Sequence, residues 1–280
     1  MTRAVSIHIG VNRPSGRMTG YPLWHCEKLA WRMAGVAERA GYESMLVLRG
    51  AAATRRAVDD ALTAAADSLD AGDRLLVTFC GHGCPEADKN GDEGHGWDET
   101  WCLADGEIVD DQLAAYWKMF KPGVRIVVVA DSCHGGGIGR DDDPCEGLTF
   151  APVQPSSHAR RSGYRGDEAW SPAVADYASS CIAEPPRSTD DIRASVLVIA
   201  AAGEHQKAQE GLFTCHLLYL WDEGRYQGSF CDLYREVRQR VMNERSSQEP
   251  QIIMHGAPDP AFPLQRAFHV DRPSTTRSDS

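Results

Sequence analysis

Hydrophobic residues fall along this chain in two alternating rhythms. Short continuous apolar runs occupy residues 5–11, 44–48, 74–80, 124–131 and 195–202, each bounded by glycine or polar residues. Runs this short, rich in Val, Ile and Leu, read as strands buried on both faces. Between them, apolar residues recur at three- and four-residue spacing over 23–40, 55–69, 111–120, 213–221 and 230–243, which predicts amphipathic helices. Strands alternating with helices predict a three-layer α/β fold, with a mostly parallel central sheet and helices on both faces. In such sheets ligands sit beyond the carboxyl ends of the strands, where loops converge. The third predicted strand runs into Phe79-Cys80-Gly81-His82-Gly83, and the fourth into Ala130-Asp131-Ser132-Cys133-His134-Gly135-Gly136-Gly137. Both tips present a reactive side chain among glycines.

The rhythm breaks between residues 139 and 193, where Pro, Ser, Asp and Arg replace the apolar positions, as in Asp141-Asp142-Asp143-Pro144 and Arg160-Arg161-Ser162-Gly163. A stretch of this kind inside one domain reads as a functional loop or a disordered segment. The expected organisation is a single domain over 1–270 that contains this segment, followed by a disordered tail over 271–280.

Charge narrows the partners. Twenty-nine Lys and Arg against 40 Asp and Glu give a formal charge of -11, which repels a phosphate backbone and argues against nucleic acid. No apolar run approaches the ~20 residues of a membrane span, and the first residues lead directly into a strand, so a cytoplasmic protein without a membrane partner is expected. The nine cysteines lack the regular spacing of a disulfide scaffold and most of them read as buried thiols; a monomer is the default state.

Only Cys133 has neighbours that argue for chemistry. A cysteine hydrolase needs a thiolate, an imidazole to protonate the leaving group and backbone N–H groups to hold the oxyanion. Adjacent parallel strands would present His82 and Cys133 side by side, with flanking glycines that let a substrate approach the backbone. The histidine precedes the cysteine by about fifty residues, a spacing shared with caspases. The alternative for an isolated pair is a packed thiol and a satisfied loop histidine. His134 reads as structural.

Gly81-His82-Gly83 and Asp131-Ser132-Cys133-His134-Gly135-Gly136, together with the stretches 88–93, 96–99 and 108–113, resemble the caspase-like cysteine peptidases of clan CD. Within that clan the pattern is similar to metacaspases and their bacterial relatives, the orthocaspases, and it is strongest over 74–137. Gln206, Phe213-Thr214 and Gln248-Glu249-Pro250-Gln251 extend the likeness towards the C-terminus. The resemblance implies a caspase-hemoglobinase-like fold and a dyad in which Cys133 attacks the scissile carbonyl while His82 protonates the departing amine. It also implies an oxyanion hole from the backbone N–H groups of Gly83 and Cys133, with no cofactor needed for the chemistry.

The resemblance further implies protein or peptide substrates cut after Arg or Lys, because Asp131 matches an acid of the primary pocket. Cys26 and Cys80 match pocket positions, Cys80 in place of the usual serine. Leu29 stands where a second pocket acid is expected, so this chain is expected to offer one acid instead of two. Calcium activation is implied by Asp98, Asp110 and Asp111, with Asp141 near the fourth matched position, which Arg140 occupies. The alternative is that Asp110 and Asp111 cap a helix and the 141–143 acids form a solvated run. Residues 88–99 imitate an EF-hand loop, but Glu93 sits where that loop requires glycine. Cys80, His82 and Cys84 are soft ligands at close spacing, but no second Cys or His pair with zinc-finger spacing appears, which argues against zinc.

Arg160, Arg161 and Arg165 are candidate sites of self-cleavage in the irregular segment, which is otherwise a solvated loop. Two other classes of function remain open on sequence alone: a catalytically silent, caspase-shaped interaction module, and a cysteine hydrolase of a non-peptide amide.

Overall fold

The computed structural model describes residues 2–87, 97–132, 191–203 and 206–270. Six strands form the central sheet: β1 (Ala4–Gly10), β2 (Ser44–Arg49), β3 (Arg74–Cys80), β7 (Arg125–Asp131), β8 (Ser195–Ala200) and β9 (Gln251–Gly256). Their order is β2-β1-β3-β7-β8-β9. All neighbours are parallel except β8 and β9, which pair antiparallel. A smaller antiparallel sheet contains β4 (Pro85–Ala87), β5 (Trp97–Cys102) and β6 (Glu107–Val109).

Alternation along the central strands sends successive side chains into two separate cores. Leu76 of β3 and Val127 and Val129 of β7 face one side, where they meet α1 (Cys26–Ala40), α4 (Leu212–Trp221) and α5 (Phe230–Glu244). Leu75, Val77 and Phe79, with Ile126 and Val128, face the other side, against α2 (Arg55–Ser68) and α3 (Asp110–Lys118). Burial on both faces explains why these strands read as unbroken apolar runs. The predicted architecture is the one observed.

Local chemistry fixes the helix ends. Thr54 accepts the Ala57 N–H at 3.1 Å and opens α2. Ser229 and Asp232 exchange hydrogen bonds in a capping box at the start of α5. Helix α1 begins at Cys26 and not at Leu23, because Leu23 and Trp24 belong to an extended turn whose Leu23 N–H donates to the Asn12 carbonyl at 2.7 Å. The turn packs tightly on the sheet: a Cβ at Gly10 would stand 2.5 Å from the Cys26 carbonyl oxygen. Gly10 thus lets the N-terminus of α1 rest on the carboxyl end of β1.

Strand β9 and the small sheet have no counterpart among the predicted strands. β9 is an edge strand, with only Ile252 fully buried, so its sequence lacks the continuous apolar signature of the centre. Cys26, Cys80, Cys84, Cys102 and Cys231 are buried thiols outside any disulfide, as the sequence suggests for most of the cysteines, whereas Cys215 is disulfide-bonded.

Candidate active site

Strands β3 and β7 are direct parallel neighbours, with Cys80 opposite Asp131. The two tips from which His82 and the Asp131-Ser132-Cys133 sequence emerge therefore lie side by side at the carboxyl edge of the sheet. A backbone hydrogen bond from Gly81 N–H to the Asp131 carbonyl, 3.3 Å long, ties them together. Cys133 itself, His134, Asp141, Arg160, Arg161 and Arg165 lie outside the described residues.

The small sheet holds the His82 segment in place. The Cys102 N–H donates to the His82 carbonyl at 2.9 Å, and the Cys84 N–H donates to Thr100 Oγ1 at 3.1 Å. Phe79 stacks on Trp101 with ring centroids 4.6 Å apart and planes within 6°. Gly81 has no room for a side chain, since a Cβ there would approach the Phe79 ring to 2.7 Å.

His82 is 1% exposed. Its Nε2 lies 2.8 Å from the carbonyl oxygen of Tyr21. A carbonyl only accepts, so Nε2 carries the proton and the neutral ring presents Nδ1 as a lone pair. Among the described residues Nδ1 has no partner. Burial holds the imidazole below its usual pKa of 6.5, against the opposing effects of the Tyr21 carbonyl and Glu210. The ring is therefore neutral at pH 7, oriented by a backbone carbonyl, and able to take a proton at Nδ1. Nothing in the sequence could have named Tyr21, because its carbonyl acts and not its side chain.

Asp131 is 4% exposed. Its Oδ2 accepts from the N–H of Thr214 at 3.0 Å and from Thr214 Oγ1 at 2.6 Å. Thr214 lies in the first turn of α4, so the carboxylate answers an otherwise orphaned amide at the positive end of that helix. Burial nevertheless raises its pKa to about 6, the Thr214 bonds opposing the rise and the Glu210 charge adding to it. Asp131 both caps α4 and lines a cavity shared with His82, Ser132, Cys26 and Glu210.

Cys26 lines this cavity, whereas Cys80 contacts Cys26 without lining it. Burial pushes the Cys26 thiol up to about 11 and raises Cys80 as well. Both stay protonated at neutral pH and offer no competing nucleophile. Leu29 is packed with Leu23, Cys26, Cys80 and Cys215 in a small apolar cluster. Gly83 is buried directly beyond His82.

Asp110 and Asp111 open α3, where Asp110 accepts N–H groups from Asp111 at 2.9 Å and from Glu99 at 3.2 Å. Asp98 is the β5 residue next to Glu99. Asp110, Asp111 and the β5 position of Asp98 are thus neighbours in the fold and are not among the described residues that line the His82 cavity. The one cluster of metal-type donors found among the described residues is different: Cys84, Cys102 and Glu107. Its thiols suit soft metals and not calcium, and Arg17 is already paired with Glu107.

Comparison with known proteins follows the same lines. The family model for the metacaspase peptidase C14 domain matches residues 8–139. Metacaspase-1A of Neurospora crassa is 41% identical over 71 residues, which cover 24% of this chain and 16% of the relative. Metacaspase-1 of Schizosaccharomyces pombe is 34% identical over 115 residues, 36% of this chain and 27% of the relative. The matches thus span about a quarter or less of the length of these curated relatives. The crystal structure of protein GSU0716 from Geobacter sulfurreducens covers 96% of this chain and 100% of its own, with a TM-score of 0.70 at 29% identity. No described helix is long and apolar enough to cross a membrane. Over residues 8–139 the chain is thus similar to the metacaspase peptidase C14 domain.

Proposed function

We propose that the protein is a cysteine endopeptidase that uses Cys133 and His82 to cut polypeptides after Arg or Lys. The observation that carries this reading is the Nδ1 of a buried, neutral His82, without a partner among the described residues and beside the strand tip that leads into Asp131-Ser132-Cys133. A buried ring nitrogen without a partner is costly unless it has work to do.

In the proposed reaction Nδ1 takes the thiol proton as Cys133 Sγ attacks the scissile carbonyl. The Nε2–H···O=C bond to Tyr21 keeps the ring in the tautomer that makes this possible and stabilises the imidazolium formed. The N–H groups of Gly83 and Cys133 receive the oxyanion. Nδ1 then returns its proton to the departing amine, leaving a thioester that water hydrolyses with the same imidazole as base. Asp131 attracts the substrate's basic side chain into the cavity.

Two regulatory features complete the proposal. Calcium would be held at the corner formed by Asp98, Asp110 and Asp111, with Asp141 as a further ligand, since hard carboxylate oxygens suit that ion. Self-cleavage at Arg160, Arg161 or Arg165 would free the groove, and sequencing of new N-termini after incubation of wild type and Cys133→Ala tests it. The peptidase reading is tested by fluorogenic peptides ending in Arg, Lys, Asp or Leu, with and without calcium. No turnover of any of them, with Cys133 still alkylatable, would favour an interaction module or a non-peptide amidase.

A further inference from the structure

The primary pocket is one acid short on sequence, because Leu29 replaces the second carboxylate and is buried in an apolar cluster at 1% exposure. It cannot turn towards a cation. The segment between β8 and α4 supplies another acid. Glu210 Oε1 accepts the Trp24 N–H at 2.7 Å and the His25 N–H at 2.6 Å, and the Cys26 thiol lies 3.8 Å away. These donors belong to the turn that opens α1, whose positive dipole end favours a carboxylate. Glu210 lines the same cavity as Asp131 and His82, and the described residues of that lining include no Lys or Arg. The charge of Glu210 is felt by Asp131, whose carboxyl it helps to raise.

Two carboxylates converging on a cavity without a cation repel each other until one is brought in. Two N–H bonds leave a carboxylate with lone pairs to spare, because its two oxygens offer about four acceptor sites. The cavity holds about 20 Å³ as it stands, room for one water and not for a guanidinium. Entry of a basic side chain therefore requires the cavity to widen, and Glu210 bridges two of its walls, the 206–211 segment and the 23–26 turn.

We propose that Glu210 is the second acid of the basic-residue pocket, so that a substrate guanidinium or ammonium sits between it and Asp131. This rests on the peptidase reading above and names a specificity-determining residue for it. The cation gives the like-charged gap a partner for each acid, and the preference for Arg or Lys over a neutral side chain comes from both acids.

Glu210→Gln tests this, because the amide oxygen keeps an acceptor for the Trp24 and His25 N–H groups while the charge is lost. With matched peptides ending in Arg or in citrulline, its neutral near-isostere, the variant is expected to lose about tenfold or more in kcat/KM on Arg and little on citrulline. An unchanged Arg-to-citrulline ratio overturns the proposal. A readout independent of turnover uses butylguanidine binding by calorimetry to Cys133→Ala protein, with and without Glu210→Gln. Weaker binding to the Gln variant supports the assignment; equal binding, or none to either protein, overturns it. Glu210-dependent binding in a protein that cleaves no peptide would sink the peptidase reading and leave the pocket standing. Cleavage after Arg with an unchanged ratio would do the reverse.

Discussion

His8 lies midway along β1 and His82 just beyond the end of β3, on strands hydrogen-bonded to each other. Both imidazoles are buried, and burial lowers the pKa of both, that of His8 to about 3. Their hydrogen bonding differs. His8 has Thr78 Oγ1 on Nδ1 and Ser6 Oγ on Nε2, each at 2.9 Å, so its ring is satisfied within the sheet. His82 has one nitrogen answered by a backbone carbonyl and the other left without a partner among the described residues. Burial alone does not mark a catalytic histidine. The distinguishing feature is a ring nitrogen without a partner among the described residues, beside a cavity at the edge of the sheet where loops converge.

The comparison breaks most visibly in activity. Replacing His82 by Ala should lower kcat/KM about 10²- to 10⁴-fold, the usual range for a lost general acid/base, with little loss of folded protein. Replacing His8 by Ala should leave the activity per folded molecule near wild type. Steady-state kinetics normalised to active-site titration separates the two, and a His8 variant as inactive as the His82 variant would erase the distinction. Stability should show the reverse pattern. His8→Ala strips partners from buried Ser6 and Thr78 and opens a cavity, at a cost of about 2–4 kcal/mol in denaturant unfolding.

Next in size is the pocket. Asp131→Asn should reduce kcat/KM on Arg and Lys peptides by about tenfold to a hundredfold, as expected for loss of a buried ionic partner. Wild-type activity on these peptides should also fall as pH drops through about 6, where Asp131 becomes protonated. The same group affects stability with the opposite sign. Its folded pKa lies above its ordinary value of 3.8, so the folded state binds more protons and Asp131 favours folding below that value. That contribution disappears as pH rises through about 6. His8 works the other way: its folded pKa is depressed, so the stability it permits is present above pH 6.5 and is lost as pH falls towards about 3. Unfolding free energies of wild type, Asp131→Asn and a His8 variant across this range would resolve both slopes.

The smallest expected effect is at the calcium corner. Asp110→Asn should raise the calcium concentration needed for half-maximal activity several-fold without changing the maximal rate, because Asp110 is not among the described residues that line the His82 cavity. A lowered rate at saturating calcium would place Asp110 in a structural role at the start of α3.

The central sheet was readable because β1, β3 and β7 are buried on both faces and leave continuous apolar runs. Their neighbouring order then brings His82 beside the Asp131 tip, as the two glycine-bounded motifs suggested. Strand β9 and the small sheet escaped because edge and half-exposed strands carry weak patterns. The parts of the site that escaped have one cause. Tyr21 acts through its carbonyl, and Glu210 reaches the pocket from a segment about 180 residues distant from the turn it grips. Where the resemblance implies a second acid the chain has Leu29, and the fold brings Glu210 to the cavity that Asp131 lines.

The measurement that bears most directly on the dyad is turnover of an Arg-ended fluorogenic peptide by wild type, Cys133→Ala and His82→Ala protein, with folding verified for each. Cleavage by wild type alone is the predicted result. Undiminished cleavage by either variant, or none by wild type while Cys133 remains alkylatable, would contradict it.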